Sequence, residues 1–406
     1  MLAIGPRKRW PIMPLSGSRS WHTGQIPTLP GGLRSRDIRR HAIIEIFKHF
    51  RERLNAALTP ELPAYGARDA LIWEPCSQSH GEVVPGYAQL LLELGYRVNV
   101  FVTPERIDEG LFSRFTHPDL TLARLSQRQI ARAARAGRFA DAGAVLVSTL
   151  GKLPHLPSGR PDLRRVFGDR LPRRLLLVEH DAGDKLARGV WDPRYLTLRR
   201  LVGTDAGSRV VNPHFFGKVA PPARNPGRTV FVMVGAAQPG RRDSAAVETA
   251  ARTLLAAGRD RFEIRLIGKP GRRPVPADLR GSVTRLGRLD FSALYDEIEG
   301  ADFILMALSP DTPGHAPYAT VKTTGSFQLC YGFGKPCIAD RHFVSGTAIN
   351  DENSLLYGNG VSMAEVMKAA IDMDRAAHGV LCDAMLRDAA ALHRASRDAL
   401  KVALRD

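Results

Sequence analysis

From residue 69 onward one pattern repeats: a short run of apolar residues, a loop, then a helix-length stretch. "DALIWEPC" (69–76) leads through a loop to "YAQLLLELG" (87–95), closed by Gly95, and then to "YRVNVFVT" (96–103). "AGAVLVST" (142–149), "RRLLLVEH" (173–180) and the shorter "SRVVNPH" (208–214) continue the series. Strands that are apolar on both faces and interleaved with helices predict a parallel sheet covered on both sides. "FFGKVAPPARNPGR" (215–228), with three prolines and two glycines, interrupts the pattern and reads as a linker.

A second unit follows. "TVFVMVG" (229–235), "RFEIRLIGKPG" (261–271), "SVTRLGR" (282–288), "DFILMALS" (302–309), "KPCIA" (335–339) and "NSLLY" (353–357) are its strands. "SAAVETAARTLLAAG" (244–258) and "DFSALYDEIEGA" (290–301) are helices, with Ser244 and Asp290 as caps and Gly258 just past a helix end. The expectation is an α/β protein of two doubly wound, Rossmann-like domains facing a cleft. The domains are 69–214 and 229–380, and a helical segment over 381–406 crosses back onto the first. In such sheets ligands bind at the carboxyl ends of the strands, here also between the domains.

The 406 residues exceed the size at which one core keeps growing, in agreement with two domains. No apolar run reaches the roughly 18 residues of a membrane span. The four cysteines show neither CxxC nor zinc spacing and read as small buried thiols, which suits a reducing cytoplasm. The net charge of +17 implies an anionic partner. Residues 1–60 carry eleven Lys/Arg against three Asp/Glu, a net of +8. No recognition helix, zinc finger or aromatic-interleaved basic strand accompanies them, so specific nucleic-acid binding is not expected. Residues 1–36 read as a disordered basic extension, similar in composition to a transit peptide or to an overlong start. Residues 37–60 form an amphipathic pattern with two readings: a helix packed on the protein, or one lying on an anionic membrane surface.

The stretch "YATVKTTGSFQLCYGFGKPCIA" (318–339) puts a lysine, two threonines, a glycine and a serine at a helix start. Open backbone N–H groups with a glycine for close approach suit an anion. A helix end supplies only about 0.3–1 kcal/mol, so a diphosphate needs cations as well. Arg241 and Arg242 follow the first strand of this domain, Lys269 the second, and Lys322 precedes the helix. "LGRLDF" (286–291) offers main-chain groups to a base edge. Neither a Walker lysine spacing nor GxGxxG is present, which argues against ATPase and dehydrogenase readings.

Taken together, "VFVMVG", "FEIRLIGKP", "VTRLGRLDFSALYDEIEGADFILMAL", "TTGSFQLCYGFGKPCIA" and "INDENSLLY" resemble the nucleotide-sugar half of GT-B glycosyltransferases, especially bacterial ones that build surface polysaccharides. The resemblance spans about residues 229–372 and is weaker over 69–214. It implies Arg242 and Lys269 as diphosphate cations, Gly287 and Leu289 near the base, and Thr324, Gly325 and Ser326 at the phosphates. The sequence departs from the family at one point. Many retaining members carry two glutamates with seven residues between them, and counting back from Gly334-Lys335-Pro336 puts Val321 and Leu329 there. Stereochemistry therefore stays open.

The first domain offers His80 and Glu82 in "SQSHGEVVPG", a candidate acceptor base and its neighbour for an inverting transfer. "VEHDAGD" offers His180 and Asp181, similar to an element of the family's acceptor half. Each also has a bland reading, as a helix cap or turn residue. Neither metal nor cofactor is expected. The sequence thus predicts a cytoplasmic glycosyltransferase at the inner membrane face. It would move a hexose from a nucleotide-diphosphate sugar to a saccharide or lipid-linked acceptor in cell-surface polysaccharide biosynthesis. A sugar-nucleotide epimerase and a non-catalytic sugar-nucleotide-binding partner are the alternatives.

Overall fold

The computed structural model describes residues 61–76, 80–236, 240–269 and 274–405. The extension over 1–36 and the helix over 37–60 lie outside the described residues. The first domain contains β1 (Asp69–Trp73), α1 (Val84–Glu93), β2 (Arg97–Val102), α2 (Pro104–Asp108), β3 (Leu120–Arg124), α3 (Gln127–Arg135) and β4 (Ala144–Val147). It continues with α4 (Leu163–Phe167), β5 (Leu175–Glu179), α5 (Gly183–Ala187), β6 (Tyr195–Thr197) and β7 (Arg209–Val210). The second contains β8 (Thr229–Val234), α6 (Ser244–Ala256), β9 (Phe262–Ile267), β10 (Val283–Gly287), α7 (Phe291–Glu299) and β11 (Phe303–Leu305). After it come α8 (Ala316–Thr320), α9 (Gly325–Phe333), β12 (Cys337–Asp340), β13 (Leu355–Tyr357), α10 (Met363–Asp372) and α11 (Arg375–Ala403).

The strand orders are β3-β2-β1-β4-β5-β6-β7 and β10-β9-β8-β11-β12-β13, with every pairing parallel. Each order reverses beside its first strand. Crevices therefore open where β1 meets β4 and where β8 meets β11. The central strands are buried along their length (β1, β4, β5), as the apolar runs require. The pairing over 208–214 is shorter than the apolar run suggests. Only Arg209 and Val210 pair, and Asn212 instead donates its N–H to Ser396 Oγ at 3.0 Å. Strands β3 and β6, absent from the sequence expectation, complete the first sheet. Polar residues alternate through β3 ("LTLAR"), and β6 has only three residues, so neither shows an apolar run.

Helix α11 is 29 residues long and serves both cores. Leu381 and Met385 pack in the second domain, while Leu400, Ala403 and Leu404 lie in the apolar cluster around α1 and β2. His393 pairs with Glu93 at 2.9 Å on α1. Among the described residues no helix is long and apolar enough to cross a membrane.

The Gly-Lys-Pro that follows α9 has a structural role. Gly334 takes φ 60° at the helix end, a left-handed conformation that glycine adopts without strain. Lys335, 1% exposed, donates from Nζ to the carbonyls of Glu299 and Ala301, both at 2.7 Å. These carbonyls lie at the carboxyl end of α7, where a cation also meets the helix dipole favourably. Lys335→Met removes the cation and strands both carbonyls. It should destabilise the chain by about 2–4 kcal/mol, read as a lower denaturation midpoint in urea.

Candidate functional site

Three successive strands of the second domain end in glycine: Gly235 after β8, Gly268 after β9 and Gly287 closing β10. Gly268 has φ 139°, and a Cβ there would lie 2.3 Å from the Gly235 carbonyl oxygen. The strand ends are tied in sequence. Gly235 N donates to Ile267 O at 2.8 Å, and Gly268 N to Gly287 O at 2.7 Å. Bare backbone thus floors a crevice that side chains would fill.

The start of α9 stands beside this floor. Thr324 is the N-cap and its Oγ1 accepts from Ser326 N at 3.4 Å. Arg242, only 8% exposed, lies directly behind. Its Nη2 donates to Thr324 Oγ1 at 2.8 Å and Ser326 Oγ at 3.1 Å, and its Nε donates to Val234 O at 3.1 Å. Burial lowers the guanidinium pKa, but an arginine starts high enough to stay charged. Most of its donors are committed to the protein. Arg242 therefore supplies positive potential behind the helix start and fixes two hydroxyls. Lys269, just past β9, is an exposed cation on the same cavity.

The first domain closes the crevice from the other side. His80 has φ 67°, and the turn carries Glu82 toward α9. A Cβ on Gly325 would sit 2.6 Å from Glu82 Oε1. The carboxyl group therefore rests against the first turn of α9, where an anion is favoured. Arg106, on α2, holds both oxygens of Glu109 at 2.8 Å, and Glu109 also meets Arg288 at 3.1 Å. The Glu109 carbonyl accepts from Phe291 N at 2.7 Å. Between these walls lies a cavity of about 520 Å³ lined by Glu82, Arg106, Arg242, Lys269, Gly325 and Ser326, with an apolar side made by Ile267, Leu289, Phe291, Leu294 and Leu329.

A second cluster adjoins Glu82. The rings of His80 and His180 stand 4.3 Å apart. His180 Nε2 lies 2.7 Å from the Ser148 carbonyl, so that nitrogen carries the proton and Nδ1 keeps a lone pair. Lys322 pairs with Asp181 at 2.9 Å across the domains. Burial holds the His180 pKa down to about 4, helped by His80. Burial, with Lys152, Lys322 and Arg241, likewise holds His80 down to about 4. Both rings are neutral at neutral pH. Burial raises the Glu82 pKa, against its own backbone N–H, His180 and Arg106.

No family profile and no curated protein sequence matches the chain. Solved structures do match. HepE from Anabaena, in complex with UDP and glucose, superposes with a TM-score of 0.50 at 11% identity, over 82% of this chain and 99% of that one. The fold is GT-B. AviGT4, a glycosyltransferase involved in avilamycin A biosynthesis, gives 0.48 at 17% identity, over 83% and 97%.

Within this GT-B frame the sequence candidates fall into two groups. Glu82, Arg242, Lys269, Leu289, Gly325 and Ser326 line the cavity, with Thr324 one bond behind. His80, His180, Asp181 and Lys322 form the neighbouring cluster, and Arg241, exposed, acts on His80 through charge. Gly287 contributes through its carbonyl, which ties β10 to β9. Of the two positions where many retaining members carry glutamate, Leu329 lines the cavity and Val321 gives its carbonyl to Ala182 N at 3.0 Å. Arg106, Glu109 and Phe291 escaped sequence reading. Arg106 and Glu109 lie in "TPERIDEG" after the second strand, and that position at a strand's carboxyl end was the available signal.

Glu74, at the end of β1, is another missed residue. It is 1% exposed and accepts from Cys76 N and from the hydroxyls of Ser148 at 2.7 Å and Thr149 at 2.8 Å. Burial raises its pKa to about 8 against these hydrogen bonds. The folded pKa thus exceeds the unfolded value of about 4.3. The stabilisation is whole below that unfolded value and is lost as pH rises through about 8. Glu74→Gln keeps the shape without the titration. Thermal midpoints measured from pH 5 to 9 should show a shallower decline for this variant than for the unaltered chain.

Proposed function

We propose that the chain is a glycosyltransferase that takes a sugar from a nucleoside-diphosphate donor. One arrangement carries this reading: the open start of α9, Arg242 behind it, Lys269 beside it and an apolar slot at Leu289 and Phe291 meet in one interdomain cavity. The diphosphate would lie on the helix start between Lys269 and the Gly325–Ser326 turn, with the base against the apolar wall. Breaking the sugar–phosphate bond leaves negative charge on the diphosphate. Fixed cations and N–H groups lower that cost without reorganising. The shared fold with HepE, which binds UDP and glucose, supports the same donor class.

Glu82 is the acceptor base in an inverting transfer. Its raised pKa brings a carboxylate closer to the range where it takes a hydroxyl proton effectively. It rests against the first turn of α9, so donor binding there would displace it toward the acceptor side. His180, neutral with a free Nδ1, is placed to steady the acceptor hydroxyl. The acceptor would be a saccharide or a lipid-linked saccharide, and the basic first 60 residues would hold the enzyme at an anionic inner membrane face.

One observation favours a second reading, a sugar-nucleotide-binding protein without turnover: Leu329 lines the cavity, at a position where many retaining GT-B enzymes carry a glutamate. Turnover of any donor with release of free nucleotide excludes it.

Lys269→Ala should weaken UDP or GDP binding about tenfold or more by titration calorimetry. Affinities for both nucleotides equal to those of the unaltered chain would refute the donor assignment. Glu82→Gln should lower the transfer rate at least about a hundredfold while nucleotide affinity holds or rises. Transfer at the original rate would remove Glu82 from the base role.

A further inference from the structure

A cluster of arginines lies at the opposite end of the second domain from the cleft. A cavity of about 560 Å³ opens at the amino ends of β8 and β9, roughly 20 Å of strand away from the donor crevice. Five arginines line it, Arg224, Arg228, Arg259, Arg261 and Arg375, against two acids, Asp260 and Asp372.

Local pairing does not explain the excess. Arg228 is matched by Glu263 at 2.7 Å, and Arg259 by Asp372 at 2.9 Å, which Lys368 shares at 3.3 Å. Arg224 is buried and braces the linker. Its Nη2 bonds Thr229 Oγ1 at 2.7 Å and the Ala370 carbonyl at 2.8 Å. Its Nη1 makes no hydrogen bond and stands 3.4 Å from Asp302. Arg261 spends only Nε, on the Gly227 carbonyl at 3.1 Å. Arg375 has no acidic partner among the described residues. It sits at the first position of α11, where the helix's positive end opposes a cation. Arg261 and Arg375 are thus left with guanidinium edges that the fold does not use. All five are arginine, whose planar fork matches a phosphate oxygen pair.

We propose that this cavity is a second anion site, which takes a phosphate-bearing ligand through the free guanidinium edges of Arg261 and Arg375. Arg228 and Arg259 flank them, and Arg224 supports the floor. The volume suits a phosphomonoester or a short polyphosphate, and the same chemistry would also take an anionic lipid headgroup. The proposal does not depend on what occupies the donor cavity.

The test is titration calorimetry of the full chain with inorganic tripolyphosphate, alongside sedimentation with vesicles containing phosphatidylglycerol. Arg261→Ala/Arg375→Ala should weaken at least one of the two interactions about tenfold or more. Its thermal midpoint should stay unchanged, because both side chains are exposed. The arm that responds names the source, free phosphate or lipid. Lys269→Ala should leave that component intact, which separates it from the donor cavity. Arg261→Lys/Arg375→Lys keeps the charge and should not restore affinity. Full restoration by lysine would mean diffuse attraction and overturn the proposal, as would a double alanine variant that binds both probes normally.

Discussion

Part of the cleft's shape comes from one short contact between the domains. The segment after α8 pairs with the segment after β5: Asp181 and Lys322 form an antiparallel bridge, Ala182 N reaches Val321 O, and Thr323 N reaches His180 O at 3.2 Å. Arg199, 4% exposed, braces the same junction by donating to the carbonyls of Tyr318, Ala319 and Ser345. A buried arginine that satisfies several carbonyls is costly to displace, because they would lose their partners in a dry site. This pins the start of α9 to the end of β5. Glu82 meets Gly325 because those two points are fixed.

Charge in the cleft is shaped more by burial than by pairing. Two histidines are held neutral, and Glu82, Glu74 and Glu179 all have raised pKa values, Glu179 to about 7. Arg242, which lines the same cavity as Glu82, stays charged across the same range. A fixed cation thus shares one cavity with a carboxyl group whose proton affinity burial has raised.

Much of this was legible in the sequence, and the failures have physical causes. Central strands such as β1, β5 and β8 are buried on both faces and show as unbroken apolar runs, so their order along the chain could be read directly. Two other strands are not: β3, at an edge, has mixed polarity, and β6, between β5 and β7, is three residues long within a segment of ordinary composition. The cations after the first two strands of the second sheet marked its ligand end, and the Thr-Thr-Gly-Ser run marked the start of α9. The contact of Glu82 with Gly325 could not be read, because it joins residues more than 240 positions apart and depends on how two domains meet. Arg242 was read as a phosphate cation, yet its bonds turn inward to Thr324, Ser326 and Val234. Sequence gave its location but not its direction.

The last helix belongs to neither domain alone. Its first half completes the core behind β11 and its last turns complete the one behind β2, while Asn212 and His214, just before the linker, bond to Ser396 and Ala389 along its length. A hinge made only of the proline-rich linker would let the halves melt separately. A rod seated in both interiors makes them share one fate: neither half can shed it without opening its own apolar centre, so the two should lose structure in a single cooperative step.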